Sequence, residues 1–345
     1  MRIKFLRRPL TWLSDKLWPF SNKDQLSRYA AFIEATYECK QIDLLKDING
    51  YYPPDTQFVV LAMDMAFQGA GKVPVPLEQQ LQDLVKIRQD DAWKDKLLPF
   101  VPVDPRRADV LDLVKRYVEE HGFVGVKLYP ALGYWACDPK LFPVYAYCEE
   151  KQIPITTHAS RGGVYFKGKL PGDGNTYPNL LKHPITGQTI ASEKNRLFCN
   201  RLGDPDQFRY VLRKFPNLKL NFAHFGGADD WFSYLKNPWK EPELEDEISD
   251  VSENWVHKIR SLIEDTRYPN IYTDISYTLH EKRFLPLLNL FMNNPKLRTK
   301  ILFGTDFYML EQDVSEREIA LAFRDRVQED KFTLLSVDNN KAFLG

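Results

Sequence analysis

Ile153-Pro154-Ile155-Thr156-Thr157-His158 is a short β-branched run that ends on an imidazole. Read with a period of two, His158 and Thr156 share one face, and Ile155 and Thr157 the other. The figure recurs along the chain. Leu218 to Ala223 leads to His224, in Ala223-His224-Phe225-Gly226-Gly227. Ile301-Leu302-Phe303-Gly304-Thr305-Asp306 ends on a carboxylate, and Val124-Gly125-Val126-Lys127-Leu128-Tyr129-Pro130 carries Lys127 and Tyr129 near its end. Residues 58–63, 98–103 and 271–275 are further runs of strand length.

Between these runs lie segments with helical apolar spacing: 77–93, 107–120, 140–151, 205–215, 255–266 and 281–292. A helix over 25–46 precedes the first run, and 315–327 with a tail helix ending at Leu344 follows the last. Strands that alternate with helices predict a parallel sheet, because parallel neighbours need crossover connections. Seven such strands predict an α/β fold, a (β/α)8 TIM-like barrel that lacks or substitutes its first strand. A doubly wound open sheet is the runner-up. Gly69-Ala70-Gly71-Lys72 has neither the third glycine of a dinucleotide fingerprint nor the spacing of a phosphate loop, and reads as a loop after a strand. The expected organisation is one structural domain, with 1–56 as a basic, aromatic arm and helix and 57–345 as the barrel.

Composition narrows the partners. The chain has 345 residues, with 47 Lys plus Arg against 47 Asp plus Glu. A zero balance argues against broad electrostatic binding to nucleic acid or anionic lipid. No apolar run reaches the ~20 residues of a membrane-spanning helix. Cys39, Cys137, Cys148 and Cys199 form no C-x-x-C pair, which suits free thiols and predicts a cytoplasmic protein. At the N-terminus, Leu6, Leu10, Leu13 and Leu17 recur at helical spacing beside basic residues, and read as an arm packed on the body. The expected partner is a small molecule, with a homo-oligomer as an open option.

Each strand-end residue has an ordinary reading of its own. A strand-end histidine is commonly a satisfied core group, Asp306 reads as a helix N-cap and Lys127 as an ion-pair partner. Their joint placement is the signal, since active sites of such barrels sit at the C-terminal ends of the strands. Two of six histidines and a carboxylate at one mouth suit Zn²⁺ or a similar divalent ion.

These strings resemble the amidohydrolase-related metal-dependent hydrolases, amidohydrolase family 2. Residues 124–130 are similar to that family's fourth strand, Thr157-His158 to its fifth, Ala223-His224-Phe225-Gly226-Gly227 to its sixth and Phe303-Gly304-Thr305-Asp306 to its eighth. Residues 203–218 resemble the lead into the sixth strand, Asn270-Ile271-Tyr272-Thr273-Asp274-Ile275-Ser276 the seventh, and 340–345 the closing helix. The resemblance implies His158 and Asp306 as metal ligands, with zinc the expected ion. Asp306 then takes the proton of the attacking water, and His224 holds that water or polarises the substrate. Lys127, carboxylated in some superfamily branches, is expected here as a cation for a substrate carboxylate. The implied reaction is hydrolysis of a C–N or C–O bond by metal-activated water. Decarboxylation on the same scaffold and a truncated or inactive relative are the alternatives.

One departure stands against the matches. The family's first strand ends in an H-x-H pair that supplies two ligands, and this sequence has no histidine before His121. The reading is therefore an N-terminally shortened form or a metal-poor relative. Its expected properties are weak or absent metal, little hydrolase activity and an arm laid over the gap. Two long inserts, 159–202 and 225–254, are expected to shape the substrate site. Arg161 in the first is either a bidentate clamp for a carboxylate or an ion-pair partner. Trp231, Phe232 and Trp239 lie in the second, as does the acidic run 241–250, read as a solvated cluster.

Overall fold

The computed structural model describes residues 40–170, 180–236, 253–310 and 314–345. The expected arm, the start of the 25–46 helix, Cys39, Trp239 and the acidic run lie outside them. Seven parallel strands run in sequence order: β1 Phe58–Leu61, β2 Leu97–Val103, β3 Gly125–Leu128, β4 Ile155–Ser160, β5 Leu220–Gly226, β6 Ile271–Asp274 and β7 Ile301–Leu302. Each pairs with the next, from Phe58 opposite Leu97 to Asp274 opposite Leu302. The fold is a curled α/β sheet of the (β/α)8 type, open by one strand among the described residues.

Helices connect and cover the strands. They are α1 Gln41–Asn49, α2 Leu77–Arg88, α3 Val110–Lys115, α4 Phe142–Lys151, α5 Asn195–Leu202, α6 Gln207–Leu212, α7 Ala228–Leu235, α8 Trp255–Glu264, α9 Leu285–Asn293, α10 Phe307–Leu310, α11 Glu316–Arg326, α12 Glu329–Thr333 and α13 Asn339–Leu344. Several are shorter than their apolar period predicts, because side chains stop or start them locally. Asp90 accepts from Ala92 N–H just after α2, Asn254 caps α8 and Ser315 caps α11. The inserts are not wholly irregular, since α5 and α7 fall inside them.

Buried apolar side chains fill both sides of the sheet. On the inside, Phe100, Tyr272, Leu302 and Phe343 form a separate plug at the floor, with α13 supplying Phe343. Gly125 faces this plug, and a Cβ there would lie 2.5 Å from the Phe100 ring. The floor is thus closed by packing, and the polar residues of the site stand at the strand C-termini.

Among the described residues, the gap lies between β1 and β7. Val59 and Leu61 are paired with Leu98 and Phe100, hence face the same way as Phe100, into the barrel, yet are 43% and 36% exposed. Tyr51 and Tyr52 reach across this side. Tyr52 packs edge-on against Phe58 of β1 and donates a hydrogen bond to the buried Glu316 of α11, while Tyr51 meets Phe307 of α10.

Candidate active site

Strand β4 brings His158 to the mouth, 7% exposed, and β3 brings Lys127 and, just beyond it, Tyr129. The Tyr129 and His158 rings stack, with centroids 4.1 Å apart and planes 8° from parallel. Lys127 Nζ lies 5.8 Å from the Tyr129 ring centre. The Tyr129 hydroxyl accepts from Val164 N–H, so the first insert helps to hold the stack.

His224 arrives by a different route. Its neighbour Ala223 pairs with His158 and shares its face, so strand alternation would send His224 to the helix side. Instead His224 and Phe225 take φ of 69° and 45°, the left-handed region, followed by Gly226 and Gly227 at 87° and 82°. This turn re-aims the imidazole into the mouth, where its Nε2 is 3.1 Å from His158 Nδ1. Left-handed backbone at a histidine is strained by roughly 1–2 kcal/mol and persists only when its surroundings hold it.

Those surroundings centre on Asp274, at the end of β6. One carboxylate oxygen accepts from His224 N–H and Ser276 N–H, each at 3.0 Å, and from the Ser276 hydroxyl. The other accepts from Asn221 Nδ2 at 2.7 Å. Thr278 Oγ1 donates to the His224 carbonyl at 2.6 Å. These groups were not singled out as site residues by the sequence reading. The polar ending Thr273-Asp274-Ile275-Ser276 of a strand is the signal that would have found Asp274 and Ser276.

Hydrogen positions follow from these partners. The Ser276 carbonyl, 2.9 Å from His224 Nδ1, can only accept, so His224 Nδ1 carries the proton. His224 Nε2 then accepts from His158 Nδ1–H, and His158 Nε2 accepts from the Ser160 hydroxyl at 3.2 Å. The result is a directed chain, Ser160 to His158 to His224 to the Ser276 carbonyl. Burial holds the His158 imidazole well below the ordinary histidine range, with the Lys127 ammonium acting in the same direction and the Ser160 and Gly162 backbone against it.

Lys127 is 5% exposed, with no hydrogen bond or ion pair among the described residues. Burial pushes its ammonium down to about 8, against the pull of Asp274 and Asp306. Asp306 is exposed, with φ 56°, and its carbonyl begins α10 by accepting from Met309 and Leu310 N–H. It stands near enough to Lys127 and Tyr129 to act on both electrostatically.

Other expectations fall elsewhere. Arg161 is spent on an ion pair. Its Nε donates to Asp230 at 2.8 Å, another nitrogen donates to the Glu253 carbonyl, and the guanidinium lies over Trp255 at 5.0 Å. The structure thus places Arg161 in the ion-pair alternative, with Asp230. Trp231 lines no site, because it is fully buried among Phe225, Phe284 and Phe291. His183 donates to Gln207 and His280 stacks on Tyr277, while His121 and His257 pack on Tyr117 and Tyr234.

The described donor set does not complete a metal centre. Among the described residues, no three His, Cys, Asp or Glu side chains are grouped so as to hold one ion. Both nitrogens of His224 are committed, and the lone pair left on His158 Nε2 meets Ser160. A catalytic zinc site normally has three protein ligands plus water.

Gly163 makes the stack testable. It has φ 71°, and a Cβ there would lie 2.8 Å from the Tyr129 hydroxyl and 3.5 Å from His158 Nε2. Gly163→Ala is expected to destabilise the protein by about 1–3 kcal/mol and to displace Tyr129. Urea unfolding measures the first; an unchanged midpoint and slope would show that the Gly163 segment is free to move away.

A family profile described as amidohydrolase matches residues 44–334. Solved structures share the fold at low identity. A dihydroxybenzoic acid decarboxylase from Polaromonas sp., with bound manganese and 2-nitroresorcinol, is 15% identical, with 97% of this chain and 93% of that one covered and a TM-score of 0.51. A 5-carboxyvanillate decarboxylase from Novosphingobium aromaticivorans, with bound manganese, is 13% identical over 92% and 84%, with a TM-score of 0.51. An amidohydrolase from Burkholderia multivorans with bound zinc is 12% identical over 91% of each chain, with a TM-score of 0.50.

Proposed function

The chain belongs to the amidohydrolase family, and on that premise we propose that its barrel mouth is a hydrolase active site for a small, carboxylate-bearing substrate, cleaved at a C–N or C–O bond. The observation that carries this reading is Lys127, a buried cation without a hydrogen-bonded or ion-paired partner among the described residues, beside two histidines and a carboxylate. A buried charge is costly alone and gains most from an anion that replaces its water. Lys127 binds the substrate carboxylate, and the face of Tyr129 forms the wall next to it. Asp306, at the rim, takes the proton of the attacking water. Asp306 then passes that proton to the leaving group, while the His158–His224 chain, with Ser160 at its outer end, holds both imidazoles in place beside the reacting groups.

Decarboxylation is the second reading. It is favoured by the flat Tyr129–His158 stack beside Lys127, which suits an aromatic acid lying on the rings with its carboxylate at the ammonium.

The test is a panel of small amides, esters and lactones with and without a carboxylate, together with carboxylated phenols, followed by product analysis. The expected result is turnover confined to carboxylates. Lys127→Met is expected to raise KM about 10–100-fold, the value of one hydrogen bond to a charged group. Turnover of neutral substrates with KM unmoved by Lys127→Met would sink the carboxylate reading. Carbon dioxide as product decides for the second reaction.

A further inference from the structure

The relatives by fold that carry manganese or zinc raise the question of what this mouth does with such an ion. We infer that the His158–His224 pair is a self-satisfied imidazole chain, closed to a divalent cation, and that the described residues of the mouth hold no resident metal. The inference rests on the family reading only for which ion to ask about.

Three observations carry it. First, the lone pair a metal would need is already used. His224 Nε2 accepts from His158 Nδ1–H at 3.1 Å, and His224 Nδ1–H is held by the Ser276 carbonyl and hydroxyl at 2.9 and 3.0 Å. An ion between the rings must break the 3.1 Å bond and strip a proton from His158 Nδ1, since metal ligation needs the deprotonated nitrogen. Second, the His224 tautomer is fixed from behind, because Ser276 is itself tied to Asp274 through its N–H and its hydroxyl. Rotating His224 to offer Nδ1 abandons those bonds. Third, the described residues offer no further donor on the open side. Among the described residues no strand lies between β1 and β7, where Val59 and Leu61 face inward and exposed, and no histidine occurs in residues 1–120. His158 and Asp306 then offer one imidazole and one carboxylate, and a third ligand from His224 requires the first bond to break.

The experiment is zinc titration of the full chain, after chelator dialysis, by calorimetry and chelator competition, with nitrogen-15 spectra of the histidine rings recorded alongside. The expected result is zinc binding no tighter than about 10 μM. The spectra are expected to keep His224 protonated at Nδ1 and His158 protonated at Nδ1 throughout the titration. Stoichiometric zinc with a nanomolar Kd, lost in both His158→Ala and Asp306→Asn, would overturn the inference. So would His158 and His224 ring signals that shift together on adding one equivalent. Tight zinc that persists in both variants, with the ring signals unmoved, places the ion elsewhere and leaves the inference standing for the mouth.

Discussion

Asp274→Ala is expected to cost about 3–5 kcal/mol of stability and to dismantle the mouth. The carboxylate is 7% exposed and accepts from His224 N–H, Ser276 N–H, the Ser276 hydroxyl and Asn221 Nδ2. Alanine leaves those donors buried and unpaired, each at a cost of roughly 1–3 kcal/mol before relaxation. Loss of the His224 N–H bond also weakens the hold on the left-handed turn at His224 and Phe225, leaving it to Thr278 Oγ1 on the His224 carbonyl and Trp231 Nε1 on the Phe225 carbonyl. His224 then falls back toward the face that strand alternation prefers. Urea unfolding reads the stability, and nitrogen-15 spectra of His158 and His224 read the chain. A loss under 1 kcal/mol with ring signals unchanged would show that water replaces the carboxylate at no cost, contrary to the burial of the site.

Lys127→Met is expected to move stability the other way, by up to about 3 kcal/mol at pH 7. The ammonium sits at about 8 in the folded protein against 10.5 when free, and the difference is the free energy of desolvation not recovered from Asp274 and Asp306. For a base held below its free value, the unfolded chain binds the proton more tightly. Below pH 8 both states are protonated and the full cost stands. Between pH 8 and 10.5 the unfolded chain carries more protons, so wild-type stability rises with pH across that window, and the gap to Lys127→Met closes by its upper end. Unfolding at pH 7, 9 and 10.5 measures this. A variant less stable than wild type at pH 7 would mean that the ammonium is solvated or paired. Together with a raised KM, a stabilised Lys127→Met is the usual exchange of stability for a strained functional group.

These two residues were unequally legible. Lys127 could be placed from its own strand: the run 124–130 alternates, and the inward set carries the lysine and Tyr129. Asp274 lies on a run whose polar end was visible, but its importance comes from partners 50 and 53 residues away, at His224 and Asn221. No spacing rule in one strand reports a bond of that kind. Arg161 shows the same limit. Its nearness to His158 in sequence suggested a ligand clamp, while its actual partner, Asp230, is 69 residues on. Trp231 lies in the second insert, expected to shape the substrate site, but the α7 helix turns it into the core beneath Phe225.

The sequence by itself determined the alternation of strands and helices, the parallel order of seven strands and the set of side chains that end them. Those properties are written in periods of 2 and 3.6 residues, which are local, so each run reports its own conformation. The absence of histidine before His121 is likewise a property of the sequence. Only the tertiary structure decided which way His224 faces, which nitrogen of each imidazole carries the proton and what Arg161 binds. It also decided that the open side leaves Val59 and Leu61 exposed. These depend on a left-handed turn that breaks strand alternation, and on hydrogen bonds between strands far apart in the chain. A carbonyl at Ser276 fixes a proton on His224 and, through it, one on His158, 66 residues away from His224. Such a constraint exists only once the sheet has brought the strand ends together.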